Sequence, residues 1–342
     1  MKKLLIVLSI ISAGMLCLGG AFIGIGKTLG GKLSWSVGVG KDGKISENAD
    51  EIIEESGELD SFDKIVYDGT VLDFWIVEGD KYSYEYKTDS HLKPEITCEN
   101  SELKIIQQNT GGVEINFLSV DFTSKNYIII TVPSDSKLYE VQLSETSGSI
   151  TSENINLYGS VNASSGEINL SGINNDKDLS VNITSGDVTI AESTFNNFVY
   201  DCKSGNININ GCVINDVDLQ ITSGDINVKN SFCEGFKFEA SSGNLDLDNV
   251  ETDSFAIEIT SGNINCEKLT TGNVTFKASS GNIDIELAGK ADDYNYNLSK
   301  TSGDISVEGN SFDSTYIIND SSRSKSITGK IISGDVDISF FQ

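Results

Sequence analysis

Lys203-Ser204-Gly205-Asn206-Ile207-Asn208-Ile209 is one of ten near-copies of a single unit in a chain of 342 residues. The others centre on Ser147-Gly148, Ser165-Gly166, Ser185-Gly186, Ser223-Gly224, Ser242-Gly243, Ser261-Gly262, Ser280-Gly281, Ser302-Gly303 and Ser333-Gly334. Successive glycines lie 18, 20, 19, 19, 19, 19, 19, 22 and 31 residues apart. A fixed period of this size marks stacked repeats, none of which can bury a core alone. Apolar side chains stand two and four residues after the glycine, as in Ile168 and Leu170, Val188 and Ile190, Ile226 and Val228. A second pair precedes it, as in Val181 and Ile183, Leu219 and Ile221, Phe238 and Ala240. A spacing of two is strand alternation, not helical periodicity. Each repeat therefore reads as two short strands meeting at a Ser-Gly corner. A looser apolar position follows at Phe195, Ile214, Phe232, Val250, Leu269 and Phe312. Glycine suits a corner that needs positive φ or leaves no room for a Cβ. The expected fold is all-β, a parallel β-solenoid of about ten coils of some nineteen residues.

Outward from the repeats, the chain divides into four stretches. Lys2 and Lys3 precede the uncharged run Leu4 to Gly26, long enough to cross a bilayer, so residues 1–31 read as an N-terminal transmembrane helix. A signal segment cut near Gly19-Gly20-Ala21 is the alternative, but the apolar run continues past it. Residues 32–60, rich in Gly, Ser and acidic side chains, read as a linker in which Ile52 and Ile53 could support a brief helix. Residues 61–140 carry aromatic and β-branched runs divided by turns, a β-rich lead-in expected to cap the first coil. Residues 141–342 hold the repeats and end in an atypical coil. There the insertion Glu308 to Lys330 is expected to fold over the last coil, and Phe340 and Phe341 to plug its end or meet a partner.

Tyr127-Ile128-Ile129-Ile130-Thr131-Val132-Pro133, Leu138-Tyr139-Glu140-Val141 and the first Ser147-Gly148 carry a more specific likeness. With the tandem Ser-Gly-Asp/Asn units, they resemble the bacterial "putative adhesin" domain family, DUF4097, over roughly Phe62 to Gln342. The resemblance implies an anchored β-solenoid on the outer side of a bacterial membrane. It supplies no catalytic residues to carry over.

Charge narrows the function classes. A formal net charge of −27 disfavours nucleic acid and anionic lipid as partners of the bulk surface. Arg323 is the only arginine and His91 the only histidine, which leaves little from which to build a Ser-His-Asp site or a histidine zinc site. Cys17, Cys98, Cys202, Cys212, Cys233 and Cys266 show no metal-ligand spacing. Cys202 and Cys266 fall on inward positions and read as buried thiols, whereas Cys212 and Cys233 could pair if neighbouring corners align. No cofactor is expected.

The outward positions are the candidate interaction surface. One residue after the glycine come Asn206, Asp225, Asn244, Asn263 and Asn282, and two further on Asn208, Asn227, Asp246, Asn265 and Asp284. In a parallel stack they form two rows at ~4.8 Å spacing. Such rows serve either as a structural amide ladder or as a surface for cations or glycan hydroxyls. Tyr294 and Tyr296 could form a sugar-stacking platform or pack internally. The leading expectation is a non-enzymatic surface protein whose partner is a protein, glycan or wall polymer, single-pass in the cell membrane with its C-terminal domain outside. An envelope-stress accessory protein acting through a membrane partner is the alternative, and a glycan-active β-helix enzyme the third reading. Against the last, the repeated rows give every carboxylate much the same environment, whereas glycoside cleavage needs an acid and a base held apart in pKa.

Overall fold

The computed structural model describes residues 52–108, 126–134 and 137–342, and the backbone of 36–39, 45–46 and 113–116. The apolar N-terminal run, most of the linker and residues 117–122 of the lead-in lie outside the described residues. Two compact units are present. In the first, Ser36–Val39 pairs antiparallel with Ile45–Ser46 on one side and Val113–Asn116 on the other. The second unit, Glu54–Lys87 with Pro94–Gln108 and Asn126–Gln342, carries the repeats.

The repeats stack as parallel strands in strict register. Gly148 lies opposite Gly166, Gly166 opposite Gly186 and Gly186 opposite Gly205, and Ile150, Ile168, Val188 and Ile207 align beside them. Because the side-chain period is two, this register sends one apolar set inward from every coil. Val181, Leu219, Phe238 and Phe276 are at most 1% exposed, or fully buried, as are Ile168, Val188, Ile226 and Ile283. The looser position is inward at Phe195, Ile214, Val250 and Leu269. It is not inward at Phe232, which is 39% exposed while its neighbour Cys233 takes the interior place. A second corner, unrecognised in the sequence, falls six residues after the glycine. There Asn154, Glu192, Asn230, Asn249 and Lys268 hold φ between 48° and 60°, and Gly172 and Gly211 hold 68° and 69°.

The Ser-Gly corner is the tightest point of the stack. A Cβ on Gly224 would fall 1.8 Å from the carbonyl oxygen of Gly205, and one on Gly262 1.8 Å from that of Gly243. The same contact recurs from Gly166 to Gly281. The obstacle is backbone and cannot swing aside. Gly224 and Gly262 also hold φ of +133° and +137°, so both reasons for glycine apply at once.

At both ends the stacking order departs from chain order. The lead-in adds two coils instead of only capping the first. Lys64–Gly69 and Asp73–Gly79 lie parallel to Leu138–Glu153, with Val141 opposite Ile65 and Ile150 opposite Phe74. Beyond them Glu102–Ile106 and Tyr127–Pro133 form the outer coil, again parallel. The antiparallel strands Ser83–Asp89 and Glu95–Glu99 then cover that outer coil. Ile52–Glu58 is a strand paired with Ser83–Asp89, not a helix, as suits its β-branched isoleucines.

At the other end Lys325–Ser333 and Val336–Phe341 slot between the Gly281 coil and the Gly303 coil. Phe276 faces Gly329, which faces Leu298; Ile283 faces Val336, which faces Ile305. Gly329 stands where earlier copies carry an apolar side chain because a Cβ there would meet the Phe276 ring at 2.0 Å. The C-terminal phenylalanines therefore do not plug the end: Phe340 pairs with Leu287 inside the stack, its ring 5.4 Å from Tyr294. Only part of the 308–330 insertion covers the last coil. Asn310–Phe312 and Thr315–Ile318 lie on it antiparallel, and Phe312, off the inward column, stacks on Tyr316 at 3.8 Å. Antiparallel cover satisfies the edge hydrogen bonds without offering another parallel coil face.

Gly224→Ala should destabilise the chain by more than about 3 kcal/mol in denaturant unfolding, since backbone clash and φ strain add. Gly309→Ala, at φ +70° with nothing within 4 Å of the added Cβ, should cost only about 1–2 kcal/mol.

Candidate functional site

The row that follows the glycines is a continuous hydrogen-bonded ladder. Asn206 donates its Nδ2 to Asp187 Oδ1 (2.9 Å) and accepts at Oδ1 from the Asp225 backbone N–H (3.0 Å). Asn244 Nδ2 donates to Asp225 Oδ1 (2.8 Å), and Asn244 Oδ1 accepts from the Asn263 N–H (3.0 Å). Asn263 Oδ1 accepts from the Asn282 N–H, and Asn282 Oδ1 from the Asp335 N–H, both at 3.3 Å. Asp335 Oδ1 then accepts from the Asp304 N–H at 2.8 Å. The sequence brings Asn282 next to Asp304; the inserted C-terminal coil places Asp335 between them. An amide between carboxylates supplies a donor and removes a charge, which a row of carboxylates at this spacing needs.

The second row behaves differently. Asn208, Asn227, Asp246, Asn265 and Asp284 point outward between buried neighbours, with Asp246 opposite Asn265 and Asn265 opposite Asp284. Asn208, Asn227, Asp246 and Asn265 make no side-chain hydrogen bond among the described residues, so their polar atoms face solvent. At the far end Asp284 abuts Asp337; burial first, then Asp337 and Asp335, push its carboxyl above the usual range. Ser306 Oγ donates to Asp337 Oδ1.

The other candidates resolve as packing. Tyr294 and Tyr296 are buried, donating to the Thr271 and Ala291 carbonyls at 2.9 and 2.8 Å, so they form no exposed platform. Cys202 and Cys266 are buried free thiols, as their inward positions imply. Cys212 and Cys233 are also free: the Cys212 N–H bonds Ser231 Oγ on the next coil, two residues from Cys233, so the two thiols occupy different columns. His91 lies in the 3-10 turn Ser90–Leu92. Among the described residues, no three His, Cys, Asp or Glu side chains converge as metal ligands.

Glu145 is the functional-type residue that sequence reading missed. It occupies a column whose other members are Ala163, Ile183, Cys202 and Ile221, and a carboxylate among them was the available signal. It is 2% exposed. Thr146 and Ser147 donate their N–H groups to Oε1 (2.9 and 3.1 Å), and the Tyr67 hydroxyl donates to Oε2 (2.5 Å). Burial nonetheless raises its pKa, and raises that of Tyr67 well above the usual tyrosine value. Glu145 thus pins the first Ser-Gly corner, where the preceding coil offers Gly69-Thr70 instead of a matching Ser-Gly.

A family profile described as Toastrack DUF4097 matches residues 73–339. The chain belongs to this family. Among solved structures, this Toastrack chain is similar to a "putative adhesin" from Parabacteroides merdae, 12% identical with a TM-score of 0.42 over 84% of this chain and 96% of that one. It is similar also to a "putative lipid binding protein" from Parabacteroides distasonis, at 12% identity and TM-score 0.44 over 85% and 97%. A third is a "putative cell adhesion protein" from Clostridium sporogenes, at 11% identity and TM-score 0.18 over 85% and 100%. Comparison with curated proteins finds no match.

Asn206→Asp removes a donor to Asp187 and sets a third carboxylate in the row, so it should cost about 1–2 kcal/mol, with partial recovery in high salt. Asn208→Asp, without such partners, should cost under about 0.5 kcal/mol by the same denaturant titration. For Glu145, the folded chain holds a proton more tightly than the unfolded one, whose value is near 4.5. Stability from this group is therefore complete below about pH 4.5 and falls as pH rises toward the folded value. Glu145→Gln should remove that slope, so its stability relative to wild type should climb with pH across melting curves.

Proposed function

We propose that this chain is a non-enzymatic interaction protein of the bacterial surface, held by Leu4 to Gly26 as a single-pass anchor with the repeats outside. Its partner is a protein, a glycan or a wall polymer that meets the solenoid along its length. The observation that carries this reading is the contrast between the two outward rows. Asp187, Asn206, Asp225 and Asn244 spend their hydrogen bonds on one another, whereas the parallel row Asn208, Asn227, Asp246 and Asn265 leaves its polar atoms to solvent. A flat strip of unspent amides and carboxylates at fixed spacing matches a ligand with a repeating pattern of donors and acceptors. It fits a single reacting bond poorly, because Asn208, Asn227, Asp246 and Asn265 repeat much the same outward setting from coil to coil. The acidic surface supports placement outside the cell, where net charge maintains solubility.

Full-length protein should bind purified envelope polymers saturably and release no product over the same interval. Asn208→Ala, Asn227→Ala and Asp246→Ala should each weaken binding about two- to fivefold, with larger losses in combination. Collapse of product formation at one position, with binding retained, would establish an enzyme instead.

A further inference from the structure

The stack is not uniform along its length. Beside the Ser-Gly corners of the Gly148, Gly166, Gly186 and Gly205 coils runs a groove of about 340 Å³. Its cause is legible in one column. Four residues before the glycine stand Ser144, Asn162, Asn182 and Asp201 in these coils, and Gln220, Glu239, Glu258 and Lys277 in the next four. Short side chains leave the channel open, and the groove stops where the long ones begin.

One wall is that column, in which Asn182 Nδ2 donates to Asn162 Oδ1 at 3.0 Å. The facing wall carries Ser164, Thr184 and Lys203, and the floor is Ala163 and Ile183, at 8% and 4% exposure. Buried Glu145 closes one end, both of its oxygens already engaged by the corner N–H groups and Tyr67. Asp201 and Lys203 stand at the other end with no ion-pair partner among the described residues. The first and fourth coils are ~14 Å apart, three strand spacings.

Resting on the surface-binding reading above, we infer that this groove is a subsite for about two or three units of a neutral, hydroxyl-rich saccharide chain. Hydroxyls and amides on two facing walls supply donors and acceptors at coil spacing, and the small apolar floor suits the C–H face of a sugar ring. A neutral ligand follows from the lining: one lysine and one exposed aspartate offset each other, and the buried Glu145 resists an anion nearby. A volume of this size lies at the lower end of small-ligand sites.

The test uses the full chain, titrated by calorimetry with cellotetraose, chitotetraose and maltotetraose, and with tetra-alanine as a peptide control. The variant is Asn182→Gln, which installs in the groove the side chain that Gln220 already carries at the same place one corner beyond Asp201, so folding should persist and melting should stay unchanged. One of the saccharides should bind, and Asn182→Gln should weaken it at least tenfold while Glu251→Gln, at an exposed position outside the groove and both outward rows, leaves it within twofold. Gln220→Asn should lengthen the groove and tighten binding. Binding that survives Asn182→Gln but weakens in Asn208→Ala would overturn the groove and leave the outward row as the site. Binding of tetra-alanine alone, or of none of the four probes, would also overturn it, and the polymer assay on the same sample would then show whether the surface-binding reading stands by itself.

Discussion

The contact on which the molecule depends is between glycines at successive corners. Each Ser-Gly corner sets its glycine against the carbonyl oxygen of the corner below, with less than 2 Å where a Cβ would sit between Gly205 and Gly224. That contact fixes both the coil-to-coil distance and the register, since sliding by one residue would bring a serine into the space. Once the register is fixed, like positions stack on like. Every column then inherits one chemical demand: apolar inward, amide or carboxylate outward, left-handed backbone at the second corner.

Stacking identical positions is hazardous for a chain with a net charge of −27. The outward row following the glycines meets the hazard by interposing asparagine, which donates to the carboxylate on one side and accepts a backbone N–H on the other. The rule relaxes at the C-terminal end, where Asp335 adjoins Asp304 and Asp284 adjoins Asp337. There burial first, and then the adjoining Asp337 and Asp335, hold the Asp284 carboxyl above its usual range. The inserted coil brings these carboxylates together, so the local charge conflict follows from the topology.

The two ends solve one problem in one way. A parallel stack leaves an unpaired strand face at each end, and a further parallel coil would only move the difficulty outward. At both ends the chain skips a layer or doubles back, then lays antiparallel strands over the outermost coil. Ser83–Asp89 and Glu95–Glu99 do so near the start, Asn310–Phe312 and Thr315–Ile318 near the finish. The 31-residue gap between Gly303 and Gly334 is the sequence trace of this reversal.

The repeats by themselves determined the strands, their parallel order, the inward columns and the first outward row, because each depends on residues at fixed offsets within about nineteen positions. Asn206, Asp225 and Asn244 could be placed on one face from spacing alone. Three features were decided only by the tertiary structure. The Gly334 coil lies inside the Gly303 coil, where Gly329 leaves room for the Phe276 ring, an order that the spacing of the repeats does not encode. Lys64–Gly79 counts as a coil despite lacking a Ser-Gly unit: its Thr70 carbonyl accepts from the Ser147 N–H, and Glu145 adds an acceptor for the Thr146 and Ser147 N–H groups. Tyr294 and Tyr296 point inward because distant residues take them up, Tyr294 the Phe340 ring and the Thr271 carbonyl, Tyr296 the Tyr316 ring of the antiparallel cover. Each of these rests on contacts between residues distant in the chain, and pair contacts of that kind leave no periodic signal to read.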